Sequence, residues 1–323
     1  MEEPLVVVKS LAYNQERFLR QMLEGIVSQK TNFRFVAVVH DDCSTDGSRK
    51  IIEEYASRYP DIIIPMFEEE NLWSKPGGVL GAKVNERVER TGARYICFCE
   101  GDDYWDTPDK LQMQVDFLES HPDFTMVYSK VRRFDDDKKE FRDIWGGPYT
   151  QVEDLLAVNS VPTPGIMIRM SVWQDFLREV SPDSRDWLMG DYPMWLYMAI
   201  RGKVHFIDEP LAVYRIQSES ACRSKSLRKT LNFRKNFFEI SDFISDKFNI
   251  RLDKEHSDRR LTEKYESLLV PAFLLRDKEI LEEARSFYTD HPMGMKQKLV
   301  LKYPFFGRML LKWKYRRMGY DIS

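Results

Sequence analysis

The chain has 323 residues, 43% of them hydrophobic and 31% charged, with a formal net charge of −3. At the roughly 100–200 residues a domain takes, that is one large domain or two smaller ones, and the composition excludes a disordered chain. So small a net charge does not imply a nucleic-acid partner for the molecule as a whole.

The N-terminus, MEEPLVVVKS, has neither a basic segment nor a long apolar stretch. No signal peptide or spanning helix is expected from it, and a reducing cytoplasm is the default location. Leu5 to Val8 is a β-branched run of the kind buried on both faces of a parallel sheet. Phe18, Leu19, Met22, Leu23, Ile26 and Val27 then recur at helical spacing, which predicts a helix from about Gln15 to Ser28.

The alternation continues. Strands are predicted at Phe33–Val39, Ile62–Phe67 and Tyr95–Cys99, and helices at Gly47–Tyr59 and Val79–Arg90. Strand and helix in turn imply an α/β fold with a mostly parallel central sheet flanked by helices. Beyond Phe117 the elements shorten: FTMVYSKVRRF and GIMIRM read as strands, Asp191–Ile200 as a helix, and KVHFIDEPLAVYRI as two short strands about a turn at Glu209-Pro210. From Ser224 onward LRKTLNFRKNFFEISDFISDKF and LTEKYESLLVPAFLLRDKEILEEARSFY predict a C-terminal helical region. A catalytic domain over 1–220 and a helical region over 221–323 is the expected division.

The four cysteines, Cys43, Cys97, Cys99 and Cys222, have neither zinc nor CxxC spacing. Cys97 and Cys99 share a strand face and read as small buried hydrophobes.

In folds of this kind ligands bind beyond the carboxyl ends of the strands. Two acidic clusters fall there, HDDCSTDGS (40–48) and EGDD (100–103). Adjacent carboxylates at a strand end suit a hard cation such as Mg²⁺ or Mn²⁺, so Asp102 and Asp103 are candidate metal ligands; the other reading is a solvated turn. Asp41, and Asp42 beside it, can accept hydrogen bonds from a base or sugar, while Asp46, Gly47 and Ser48 serve as turn and helix cap. Lys75 and Lys83 lie in or beside the loop after the third strand, near the carboxylate end where a phosphate could be held, although a solvated lysine is the simpler reading of each.

AYNQERFLRQMLEGIVSQ, VVHDDCSTDGSRKII, YICFCEGDDYWDTPDKLQMQVDFL and WLMGDYPMWLYMAIRGKVHFIDEPLAVYR, taken together and in this order, resemble a bacterial family 2 glycosyltransferase with the GT-A (Rossmann-like) fold. The resemblance implies a nucleotide-diphosphate sugar as donor, with a UDP-sugar first among them, a divalent cation (Mn²⁺ or Mg²⁺) on the diphosphate, and inversion at the anomeric carbon. Tyr13, with Asn14 beside it, falls at the family's TYN position near the base, and Asp41 at the aspartate that contacts the nucleotide. Asp102 and Asp103 fall on the DxD-type element, Asp103 as the direct metal ligand and Asp102 near the ribose; Glu100 opens the motif where many relatives have Asp. Asp191 matches the general base, and its other reading is an N-cap for YPMWLYMAI. Leu11 and Ala12 stand where relatives have Pro and Thr, and Gln217 follows Tyr214-Arg215 where many have His.

The resemblance further implies a glycan or lipid-linked acceptor and a role in bacterial surface polysaccharide or glycolipid synthesis. Between Lys296 and Arg317 the chain carries eight Lys or Arg, no Asp or Glu, and interleaved aromatic and aliphatic residues. That segment suits peripheral contact with the inner face of the cell membrane, or equally a final helix packed on the domain with a solvated basic face. Two other classes bear on the same sheet. A sugar-phosphate nucleotidyltransferase or a dinucleotide dehydrogenase would place glycines after the first strand, and Leu5 to Glu24 contains none. A non-catalytic nucleotide- or carbohydrate-binding module would not need Asp102, Asp103 and Asp191 together.

Overall fold

Val6, Val7 and Val8 expose no surface, because the strand they open is paired on both edges and covered on both faces. The computed structural model describes residues 3–75, 77–217 and 224–322; Cys222 and the expected domain boundary at 220 lie outside them. In chain order the elements up to Ile216 are β1 (Val6–Ala12), α1 (Glu16–Val27), β2 (Phe35–Asp41), α2 (Ser48–Arg58), β3 (Ile63–Phe67), α3 (Val79–Glu89), β4 (Tyr95–Phe98), α4 (Lys110–Ser120), β5 (Phe124–Asp135), β6 (Glu140–Trp145), α5 (Val152–Leu155), β7 (Ile166–Arg169), α6 (Met170–Val180), α7 (Tyr192–Arg201) and β8 (Lys203–Ile216).

The eight strands form one sheet in the order β3-β2-β1-β4-β7-β5-β6, with β8 pairing β5. β3, β2, β1 and β4 are mutually parallel, β7 runs antiparallel to β4 and β5, and β8 runs parallel to β5. The chain winds outward from β1 to β3, then crosses back to β4 on β1's other side. The ends of β1 and β4 are therefore the topological switch point at which such sheets hold ligands.

On the amphipathic face of α1, Leu19, Met22, Leu23 and Ile26 share one core with Val6, Val8, Cys97 and Leu111. Each such side chain contributes about 1.5–3 kcal/mol through burial. A Cβ on Gly25 would stand 2.5 Å from the backbone oxygen of Trp105, so only glycine lets α1 lie against the loop that follows β4. That loop is fixed further on. The Trp105 indole donates to the Pro164 carbonyl at 2.9 Å, and the buried Lys110 ammonium lies 4.2 Å from the Trp105 ring centre while donating to Gln114 at 2.8 Å. Cys97 and Cys99 are fully buried, and burial raises the Cys97 thiol to about 11.

KVHFIDEPLAVYRI is one strand, β8, and not two about a turn. Its pairing with β5 slips, Ser129 facing Ile207, Lys130 facing Pro210 and Val131 facing Ala212. The extra residues form a bulge and place Pro210, which has no N–H to give, at the irregularity. The edge strand β6 (EFRDIW) is exposed along most of its length and so shows no alternation by which sequence could reveal it.

The chain divides into two compact units, the first comprising Met1–Val152, Ser160–Asp186 and Met194–Ile216, the second Glu153–Asn159, Trp187–Pro193 and Gln217–Ser323. The second is built on α8 (Leu227–Lys247), α9 (Lys254–Leu275), α10 (Lys278–Asp290), α11 (Met295–Leu301) and α12 (Pro304–Arg317). Its core gathers Tyr265, Leu269, Phe273, Ala284, Tyr288, Val300 and Leu311. Side chains cap three of these helices, Ser226 on α8, Asp253 on α9 and Asp277 on α10. Pro271 sits inside α9 and cannot donate to the Ser267 carbonyl one turn back; Arg234 of α8 donates to that carbonyl instead, at 2.5 Å.

Candidate active site

The loops that follow β1 and β2 are tied to each other. The Asn14 N–H donates to Ser44 Oγ at 2.9 Å, and the Asn14 side-chain oxygen accepts the Thr45 N–H at 2.8 Å. Gln15 N–H donates to Ser48 Oγ at 2.8 Å, and Asp46 accepts the N–H groups of Glu16 and Ser48. Asp46 and Ser48 thus hold the turn, while Asn14, expected at the nucleotide, has its side-chain oxygen committed to Thr45. Tyr13 projects from the same loop, 47% exposed.

Asp41 ends β2 and is 1% exposed. Its Oδ2 accepts the Ser44 N–H at 3.1 Å, whereas its buried Oδ1 has no partner among the described residues. A buried carboxylate oxygen without a donor costs free energy unless a ligand supplies one. Asp42 is different. Its two oxygens accept the N–H groups of Leu72 and Trp73 at 2.8 and 2.9 Å, so it anchors the loop after β3, which carries Trp73, 76% exposed.

The two lysines of that region are also engaged. Lys75 pairs with Glu70 and Lys83 with the buried Glu68, which lies 3.4 Å from His40 Nε2. Both contacts are with carboxylates of the protein itself.

Asp102 is half-buried and Asp103 is 3% exposed. Asp103 Oδ1 accepts the backbone N–H of Arg215 at 2.8 Å, and the Arg215 guanidinium donates through Nε to the Asp102 carbonyl at 2.8 Å and through Nη2 to Gln21 at 2.7 Å. Burial, then the neighbouring Asp102 charge, pushes the Asp103 carboxyl well above its ordinary range. A Cβ on Gly101 would stand 2.1 Å from Gln15 Oε1, and the Gly101 N–H donates to the Leu11 carbonyl at 3.0 Å, which fixes this loop against the end of β1.

The donor set fits a divalent cation in one way. Among the described residues no three His, Cys, Asp or Glu converge on a metal position. Asp102 and Asp103 offer hard oxygen donors, and an ion held by one or two carboxylates takes its other ligands from substrate phosphates and water. The burial of Asp103 beneath Arg215 leaves Asp102 as the more accessible of the pair.

Asp191 belongs to the second unit, in Trp187–Pro193. Its Oδ1 accepts the Tyr192 N–H at 2.7 Å at the start of α7. Arg215, Trp73 and Gln21 were not singled out from sequence. A lone arginine carries no signal that its partner lies 112 residues away.

The family model described as "Glycosyl transferase family 2" matches residues 10–175. An uncharacterised protein of Mycobacterium tuberculosis is 33% identical over 214 residues, covering 64% of this chain and 58% of that relative. The putative teichuronic acid biosynthesis glycosyltransferase TuaG of Bacillus subtilis is 32% identical over 116 residues, covering 36% of this chain and 42% of TuaG. The chain thus spans less than two thirds of the length of either relative. The structure of S. aureus TarS 1–349 in complex with UDP-GlcNAc is similar with a TM-score of 0.61 at 16% identity, covering 98% of this chain and 93% of that one, a likeness of fold.

Proposed function

Because the chain belongs to glycosyltransferase family 2, we propose that it moves a sugar from a nucleotide-diphosphate sugar to an acceptor hydroxyl with inversion at the anomeric carbon. The observation that carries this reading is the buried Oδ1 of Asp41 at the end of β2, which has no partner among the described residues; β2 lies one strand from β1 and two from β4, whose end bears Asp102 and Asp103. An acceptor for a base N–H and a pair of carboxylates for the phosphate end suit the two ends of one sugar nucleotide.

In this reading Asp41 takes the N–H of the base, Tyr13 and Trp73 supply aromatic surface beside it, and Asp42 holds the loop that carries Trp73. A UDP-sugar is the first donor to test, given the UDP-GlcNAc bound by TarS. Asp102, with Asp103 behind it, is the cation position; a bound Mn²⁺ or Mg²⁺ would stabilise negative charge on the departing diphosphate. Asp191 takes the acceptor hydroxyl's proton as that oxygen bonds to the anomeric carbon and the bond from that carbon to the diphosphate oxygen breaks. One displacement with one base gives inversion.

The catalytic domain is taken as 1–220, followed by the helical region 221–323. The relative named for teichuronic acid synthesis favours a surface polysaccharide or glycolipid as the product. Asp191→Asn tests the reaction: release of nucleoside diphosphate from donor and acceptor should fall by orders of magnitude while donor binding persists. Unchanged turnover would remove Asp191 from the base role, and binding without turnover in the wild type would favour a module that only binds.

A further inference from the structure

Helix α12 is apolar on two opposite faces. Gly307, Leu311 and Tyr315, spaced i, i+4, i+8, turn into the core of the second unit, where Gly307 rests on the Leu299 backbone and Arg308 donates to the Phe273 carbonyl at 2.6 Å. Phe305, Met309 and Trp313 have the same spacing displaced by two residues, about 200° around the helix. They are 80%, 64% and 59% exposed, with Phe306 and Leu310 beside them at 62% and 48%. Burying one stripe accounts for why α12 docks. It does not account for the second, which no described residue covers.

Single exposed apolar residues need no explanation, but five on one helix face mark a surface meant to be covered. What could cover it is narrowed by charge. Lys312, Lys314, Arg316 and Arg317 border the stripe, Lys296, Lys298 and Lys302 precede it on and after α11, and from 296 to 317 there is no acidic residue. A second copy docking through the same stripe would bring these cations together with no carboxylate of the segment to pair them. A partner offering a fluid apolar layer beneath a negatively charged layer meets both features at once.

We propose that α12, with the basic residues of α11, is an interfacial helix that seats this protein on an anionic lipid bilayer. Phe305, Phe306, Met309, Leu310 and Trp313 enter the boundary between headgroups and acyl chains, while the flanking Lys and Arg meet the lipid phosphates. Among the described residues no helix is long and apolar enough to cross a membrane, so this contact is one of lying on the surface. The inference stands on the C-terminal helices alone and does not depend on the sugar-transfer reading.

Vesicle flotation of the full chain tests it, with vesicles of pure phosphatidylcholine and of phosphatidylcholine and phosphatidylglycerol in equal parts. The wild type should float with the anionic vesicles, stay behind with the neutral ones, and be released by added salt. The double variant Phe306→Ser/Trp313→Ser should bind the anionic vesicles about tenfold more weakly or worse, since it removes two large inserted side chains. Lys314→Gln/Arg316→Gln should weaken binding and flatten its salt dependence. All four side chains are exposed, so melting temperatures equal to the wild type certify that both variants are folded. Failure of the wild type to float with anionic vesicles overturns the proposal, as does undiminished flotation of the Ser variant. A wild-type dimer that the Ser variant dissociates would assign the face to a second copy and overturn it too.

Discussion

The backbone N–H of Arg215 at the end of β8 donates to Oδ1 of Asp103 in the loop after β4, at 2.8 Å and across 112 residues of sequence. Through this bond and the Arg215 guanidinium on the Asp102 carbonyl, β8 holds the carboxylate loop in place. Asp103 therefore serves the fold as well as the charge of the site, and substitutions can separate the two. Asp103→Asn keeps an acceptor for the N–H and removes the burial penalty on the charge, so stability in denaturant should be unchanged or higher. Asp103→Ala leaves the buried N–H unpaired and should cost about 1–3 kcal/mol. Equal stability of the two variants would show that the bond does not matter.

Asp42 is expected to act on the donor through its loop. Asp42→Ala releases the N–H groups of Leu72 and Trp73, so the loop after β3 should become the first site of limited proteolysis and nucleotide affinity should drop several-fold, with little change in melting temperature. Wild-type affinity together with a protease-sensitive loop would detach Trp73 from donor binding.

The Arg234–Pro271 relationship predicts a coupling. Arg234→Met strips the Ser267 carbonyl of its donor, which Pro271 cannot replace, and should cost about 1–3 kcal/mol. Adding Pro271→Ala restores an N–H within α9 and should recover much of that loss. Strictly additive effects in denaturant would contradict the compensation.

His40 gives a pH dependence with a defined sign. Burial holds its imidazole below the usual histidine value against the opposing pull of Glu68, and its buried Nδ1 has no acceptor among the described residues to meet if protonated. The unfolded chain therefore binds a proton that the folded chain refuses. Stability should be fully present above the unfolded pKa of about 6.5 and be lost as pH falls from there towards the folded value. His40→Gln should flatten the melting temperature over that interval; an unaltered slope would assign it to other groups.

The parallel half of the sheet is legible because its helices bury one regular face and its inner strands are continuous apolar runs: α1 falls within a residue of the predicted span, and β1 starts one residue after the predicted run and extends four residues beyond it, to Ala12. One feature of the fold is hidden from local sequence. Pro210 reads locally as a turn, and only pairing with β5 shows that a bulge absorbs it. Residue type and position at strand ends make Asp41, Asp102 and Asp103 candidates, but type does not reveal partners. That Asp42 is spent on Leu72 and Trp73, Lys83 on Glu68, and Asp103 on Arg215 depends on contacts distant in sequence.

The most direct test of the account is a thermal-shift panel of UDP, GDP, dTDP, CMP and ADP on the full chain, each with and without Mn²⁺, for the wild type and Asp102→Asn. A ligand that binds only the folded state raises its apparent stability. The account predicts that one nucleoside diphosphate stabilises the wild type more with Mn²⁺ than without, and that Asp102→Asn loses the Mn²⁺-dependent part alone. No stabilisation of the wild type by any nucleotide, with or without metal, would contradict it.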